Sequence, residues 1–233
     1  MGQNSNKADK SAPFRSGKTP AQHGDVDSDS LSKEQVERSY RRYAPIYDIL
    51  FGASLGPGRE SMTRLVSTLE PRRILEVGVG TGLTLSRYPK NSHITGVDVS
   101  EEMLAVAHRR IQPRDSNRIV LHAMDAELMD FPNASFDCVT LPYVLSVTPN
   151  PDRLVNEVRR VCRPDGDIVI VNHFSGQSSW RWLESLARPL SSWLGFRSEF
   201  SYERNILSHS WKLQSVAPAN LFALSRLIHI KNV

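Results

Sequence analysis

Two cysteines in 233 residues, Cys138 and Cys162, cannot build a disulfide framework or a metal knuckle, and no metal is expected. Each lies inside an apolar segment, the usual setting of a buried free thiol, which points to a reducing, cytoplasmic compartment. Long apolar runs are missing too. No window approaches the roughly 18 residues of a spanning helix, and the first thirty residues hold no secretory apolar stretch. The expectation is a protein with neither a membrane span nor a leader. Met1-Gly2-Gln3-Asn4-Ser5-Asn6 falls short of a myristoylation signal, because Asn6 stands where Ser or Thr is wanted.

What is present is a globular composition, 39% apolar and 23% charged, long enough for one folded domain of roughly 200 residues. The formal charge of +4 is unevenly spread. Residues 1–30 are neutral, 31–73 carry +3, 74–173 carry −3 and 174–233 carry +4, and 22 of the 29 cations are Arg. An acidic middle between basic flanks fits contact with an anionic surface, either membrane lipid or nucleic acid, or else simple solvation.

Residues 1–30, rich in Ser, Asp, Gly, Lys and Pro, read as a disordered tail. A helical segment follows over 31–70, and an α/β unit occupies 71–233. Ser32 and Gln35 form a capping box with Leu31 and Val36 as its staple, and Pro45 ends or kinks the helix. Gly56-Pro57-Gly58 reads as a turn and Ser61–Leu69 as a helix. Strand patterns then fall at Arg73–Val77, His93–Asp98, Ile119–Ala123, Phe136–Leu141 and Asp167–Asn172. Helical patterns separate them at Leu83–Tyr88, Glu101–Ile111 and Pro151–Cys162. Such alternation predicts an open, mostly parallel α/β sheet covered on both sides. The rhythm then breaks: Trp180–Leu194 reads as a helix, and Trp211–Val216 with Leu221–Ile230 as an antiparallel hairpin closing the sheet edge.

The chemistry concentrates where the first strand runs into Glu76-Val77-Gly78-Val79-Gly80-Thr81-Gly82. Ligands of open α/β sheets bind beyond the carboxyl ends of the strands. A dinucleotide fingerprint would place its third glycine at position 83, which is Leu83. The carboxylate of Glu76, two residues before the first glycine, suits a cationic ligand and would repel a pyrophosphate. S-adenosylmethionine, with a sulfonium, an amino group and no phosphate, answers that description. Asp98 stands 22 residues after Glu76, at the end of the second strand, where it can take ribose hydroxyls. Asp125 follows the third strand, where it can meet the adenine amino group.

On these residues the chain resembles the class I S-adenosylmethionine-dependent methyltransferases over roughly residues 40–230. The resemblance implies a Rossmann-like, seven-stranded, mostly parallel sheet with an antiparallel C-terminal hairpin. It also implies cofactor roles for Glu76, Gly78, Gly80, Gly82, Asp98, Val99, Met103, Asp125, Ala126 and Pro142, with Tyr43 and Tyr47 as a lid.

The acceptor leaves its own marks. Nucleic-acid amino-methyltransferases carry an Asp or Asn, two prolines and an aromatic after the fourth strand. Here the sequence is Thr140-Leu141-Pro142-Tyr143, which disfavours nucleic acid. Tyr43-Ala44-Pro45-Ile46-Tyr47-Asp48, Gly58-Arg59, the glycine loop, Leu145-Ser146-Val147, Val171-Asn172-His173-Phe174 and Leu194-Gly195-Phe196 occur in this order. Together they resemble the bacterial, peripheral phosphatidylethanolamine N-methyltransferases, implying a phospholipid amine as acceptor and the inner face of the cytoplasmic membrane as the place of action. His173 and Tyr143 are the expected catalytic residues, as proton acceptors, relays or simply positioners, although His173 reads equally as a hydrogen-bonded strand-end histidine. Arg204, beside Tyr202, is the first candidate for the lipid phosphate. The Arg38/Arg41/Arg42 face with Tyr40, Ile46, Leu50 and Phe51 is a candidate interfacial anchor on anionic lipid. Alternatives are a quinone-ring C-methyltransferase, an RNA methyltransferase, and a silent cofactor- or lipid-binding protein.

Overall fold

The computed structural model describes residues 55–173, 211–219 and 225–233. The expected tail, the helices over 31–51 and Trp180–Leu194 lie outside them.

Seven strands run in the order β3-β2-β1-β4-β5-β7-β6. They are β1 (Arg73–Val77), β2 (His93–Asp98), β3 (Ile119–Ala123), β4 (Phe136–Pro142), β5 (Cys162–His173), β6 (Lys212–Pro218) and β7 (Ser225–Lys231). The first five pair in parallel, while β7 runs antiparallel to both β5 and β6. The fold is therefore a mixed, mostly parallel Rossmann-like sheet with a reversed strand near its C-terminal edge. The hairpin adds more than an edge: β7 is inserted between β5 and β6, and only β6, exposed along its whole length, is outermost.

The central strands are apolar on both faces, as a sheet covered on two sides requires. Leu75, Val77, Val139, Leu141, Ile168 and Ile170 pack into one core, joined by Leu154, Val155 and Val158 of α3 (Pro151–Val161). Their neighbours Ile74, Cys138, Val169 and Val171 enter the opposite core with Met62 and Val66 of α1 (residues 55–69). Each fully buried aliphatic contributes about 1.5–3 kcal/mol, so strand alternation fixes which side every residue faces. Glu76 and Thr140 follow the parity of Ile74 and Cys138, which places two polar side chains on the α1 side of the sheet.

Two local expectations are corrected. Gly56-Pro57-Gly58 is part of α1 rather than a turn before it. Proline is tolerated in the first helical turn, and the burial of Leu55, Met62 and Val66 outweighs the glycines' poor propensity. The helix expected at Leu83–Tyr88 is a single 3-10 turn, Leu85–Arg87. Pro89 stops it, and the Thr84 hydroxyl, instead of capping it, is turned onto Glu76. By contrast α2 (Glu101–Arg110) begins where its sequence says. The Ser100 hydroxyl accepts from the Met103 N–H at 3.2 Å, with Glu101 and Glu102 at the positive end and Arg109 and Arg110 at the other.

Candidate active site

The strand order reverses between β1 and β4, and a cavity of about 200 Å³ opens at the carboxyl ends of the strands there. Its floor is the loop after β1. Gly78, Gly80 and Gly82 have φ of 68°, 53° and 78°, values at which a side chain is strained. The Gly78 and Val79 N–H groups donate to Val97 O at 2.9 and 3.0 Å, tying the loop to β2. The three glycines do different work. A Cβ on Gly80 would project into open space, one on Gly78 would lie 2.8 Å from Val144 Cγ2, and one on Gly82 would lie 2.9 Å from Leu85 Cδ1 and 3.0 Å from Ala107 Cβ. Gly80 thus offers bare backbone to a ligand, whereas Gly82 lets the loop pack on α2.

Asp98 organises one wall. One carboxylate oxygen accepts from the Gly80 N–H at 2.8 Å and the other from the Ser100 N–H at 3.0 Å. The carboxylate retains acceptor capacity for a ligand hydroxyl. Val99, Met103, Met124, Asp125 and Ala126 continue that wall. Glu127 accepts at one oxygen from the Thr148 hydroxyl at 2.7 Å and the Asn150 N–H at 2.6 Å, fastening the loop after β3 to the loop after β4. Arg59 of α1, Pro142 and Tyr143 close the far side, with the Arg59 guanidinium 5.8 Å from the centre of the Tyr143 ring.

Glu76 lies at the bottom, 1% exposed. One oxygen accepts from the Thr84 hydroxyl, and the other, Oε2, is buried without a hydrogen-bond partner. An orphaned carboxylate oxygen at a cavity wall asks for a donor or a cation. Burial pushes the Glu76 carboxyl up to about 7 from its ordinary 4.5, against the Thr84 and Tyr88 hydroxyls and Arg59, which pull it down. Burial also raises Asp98, opposed by the Ser100, Gly80 and Val99 backbone.

Residues 75–170 match the family described as a methyltransferase domain. A phosphatidylethanolamine N-methyltransferase of Cereibacter sphaeroides is 40% identical over 177 residues, which is 75% of this chain and 86% of that protein. The chain belongs to the S-adenosylmethionine-dependent methyltransferases. A ubiquinone/menaquinone biosynthesis C-methyltransferase of Methylobacterium nodulans is 33% identical over 135 residues, 54% of this chain and 52% of that one. Among solved structures, a methyltransferase of Thermotoga maritima described as a possible histamine N-methyltransferase superposes with a TM-score of 0.63 at 18% identity. That match spans 86% of this chain and 99% of that one, and speaks for the fold alone.

The methyltransferase cofactor is S-adenosylmethionine, and the cavity suits it. Glu76 Oε2 would be the acceptor for its ammonium, Asp98 would take the ribose hydroxyls, and the open side of Gly80 would let the ligand pass against backbone. When bound, the cofactor supplies the electrophilic methyl group. Glu76, Gly78, Gly80, Asp98, Val99, Met103, Asp125, Ala126, Pro142 and Tyr143 all line this one cavity. Gly82 does not; it faces α2 instead. His173 is the last residue of β5, its backbone opposite Ser225 of β7. Tyr43, Tyr47, Tyr202 and Arg204 lie outside the described residues. Sequence reasoning did not assign a role to Thr84, Glu127 or Arg59. Of these only Arg59 belongs to a segment that carries the resemblance, Gly58-Arg59; the other two act by contacts that no local spacing reveals.

Proposed function

We propose that this methyltransferase transfers methyl groups to the amine of phosphatidylethanolamine at a membrane surface. The observation that carries the reading is the 40% identity over 86% of the Cereibacter sphaeroides phosphatidylethanolamine N-methyltransferase. The flanking words Tyr43–Asp48, Val171–Phe174 and Leu194–Phe196 support it from the sequence side.

Methyl transfer is an in-line displacement, so the chain has to hold the amine about 3–3.5 Å from the methyl carbon and keep water away. A primary ammonium ionises near the lysine value of about 10 and must shed its proton before attacking. Burial raises the Tyr143 phenol above its ordinary value, which keeps it protonated and makes it a poor base. Its hydroxyl lies 3.4 Å from both Leu55 O and Ser225 Oγ. We therefore assign Tyr143 to orienting the amine against its ring and hydroxyl, and His173 to taking the proton. His173→Ala is expected to lower kcat about 100-fold or more. Tyr143→Phe should lower it about tenfold while cofactor affinity stays within about twofold, a loss of orientation alone. Equal loss of cofactor binding would refute both roles.

Arg204 and Tyr202 are proposed for the lipid phosphate and the Arg38/Arg41/Arg42 face for docking, each basic residue contributing about 1 kcal/mol at an anionic surface. Among the described residues no helix is long and apolar enough to cross a membrane. The test is incubation with methyl-labelled cofactor and vesicles with or without phosphatidylethanolamine, followed by lipid extraction. Label in mono-, di- or trimethylated lipid supports the reading, and unlabelled lipid overturns it. The Methylobacterium relative favours a second reading, methylation of a quinone-precursor ring carbon. A demethylmenaquinone arm in the same assay decides between them, and charge reversal at Arg204 should abolish only lipid methylation.

A further inference from the structure

We propose that Glu76 is a proton-linked latch for the cofactor, carrying a proton in the free protein below neutral pH and releasing it when the ligand's ammonium reaches Oε2, with Thr84 as the residue that sets the pH of release. The inference rests on the cofactor and is independent of the acceptor.

Three observations meet at this carboxyl. It is almost fully enclosed, at 1% exposure, and it belongs to the cavity wall, so the carboxyl stands between the interior and the ligand space. Its two oxygens are unequal: Oε1 is held by the Thr84 hydroxyl, and Oε2 is buried and unpartnered. An ionised carboxylate with one orphaned oxygen is costly, whereas the neutral acid is not, and an incoming cation reverses that order.

The groups facing Glu76 from each packed element set the balance. Arg59 from α1 favours ionisation, and Asp98 from the end of β2 opposes it. The Tyr88 hydroxyl, 2.8 Å from Thr140 Oγ1 of β4, favours it. Tyr143, the residue after that strand, remains a neutral phenol beneath Arg59. Thr84 exerts the largest pull toward the anion and its hydroxyl is given to Glu76 Oε1, so it acts through Glu76 as a positioning residue. Binding at Oε2 adds a cation that the free protein lacks, and a carboxyl near 7 then crosses from mostly protonated to ionised.

Calorimetric titration with S-adenosylhomocysteine, which carries the same amino acid end, tests this in buffers of different ionisation enthalpy. About three-quarters of a proton should leave per site near pH 6.5, falling as pH rises through 7 and giving way to uptake where the ligand's own amine begins to lose its proton, and affinity should weaken up to tenfold per unit below about pH 6. Glu76→Gln should lose that release, which separates it from any proton on Asp98. Thr84→Val should move the midpoint to higher pH. Wild-type binding with no proton exchange near pH 6.5, or unchanged exchange in Glu76→Gln, overturns the proposal. If Glu76→Gln binds too weakly to titrate, Thr84→Val decides: an unmoved midpoint overturns it.

Discussion

Gly58 has no side chain because Tyr143 stands where one would be. A Cβ there would lie 2.0 Å from the Tyr143 hydroxyl and 3.0 Å from Val171 Cγ2. Gly58→Ala should therefore cost about 1–3 kcal/mol in chemical denaturation and lower turnover by displacing the Tyr143 ring. Tyr143 has little freedom to yield, since it already has a φ of 62°, a costly value for an aromatic residue. Such strain is tolerated where packing over-determines it, here between α1, β7 and the Arg59 guanidinium. The cysteines are simpler. Burial pushes the Cys162 thiol up to about 12 and the Cys138 thiol well above its ordinary value. Both should resist alkylation at pH 8 in the native protein and react together once it is denatured. The thiols' burial was legible from their apolar neighbours. The Gly58–Tyr143 contact was not, because it joins segments that meet only when α1 lies across the sheet.

At the level of elements, one buried aspartate ties the reversed strand to β5. Asp167 at the start of the β5–β7 pairing lies 2.7 Å from His229 Nε2 and 2.8 Å from Lys231 Nζ, and all three side chains are largely enclosed. Asp167→Ala removes the partner that His229 Nε2 and Lys231 Nζ share, while Lys231 keeps Asp165 O at 3.2 Å, so about 1–2 kcal/mol of stability should be lost in thermal or denaturant unfolding. Hydrogen exchange should rise first in β6 and β7, the outer pair, with β1 and β4 unaffected. Element boundaries were legible where the sequence carried a cap, as with α2, or a short β-rich run between turn residues, as with β1 to β3. They were misread at α1 and after the glycine loop. In both places a contact from another element, Tyr143 or Glu76, outweighs the local signal.

Across the whole molecule, the fold places a carboxyl in its interior and leaves it half-satisfied until a ligand arrives. The carboxyl of Glu76 ionises near 7 in the folded protein and near 4.5 in an unfolded one. The folded state thus holds the proton more tightly. The resulting stability is fully present below about pH 4.5 and is lost as pH rises through 7. In the cofactor-free protein, Glu76→Gln should gain on the wild type by about 3 kcal/mol between pH 5 and pH 8. Unfolding midpoints measured across that range provide the check, and a constant gap would deny the raised ionisation. This cost is how a binding site is kept ready, with stability exchanged for a buried acceptor.

By itself the sequence determined the alternation of strands and helices, the class of sheet, and the cofactor loop. Each of these is written in short-range periodicity and in residue types at fixed spacing, Glu76 with its glycines above all. Only the tertiary structure decided that β7 inserts beside β5, that Gly82 packs on α2 while Gly80 stands open, and that Thr84, Glu127 and Arg59 line the cavity. Those facts depend on side chains from separate strand ends meeting in one cavity. Such distances exist only after the sheet has closed against its helices and expelled water from between them.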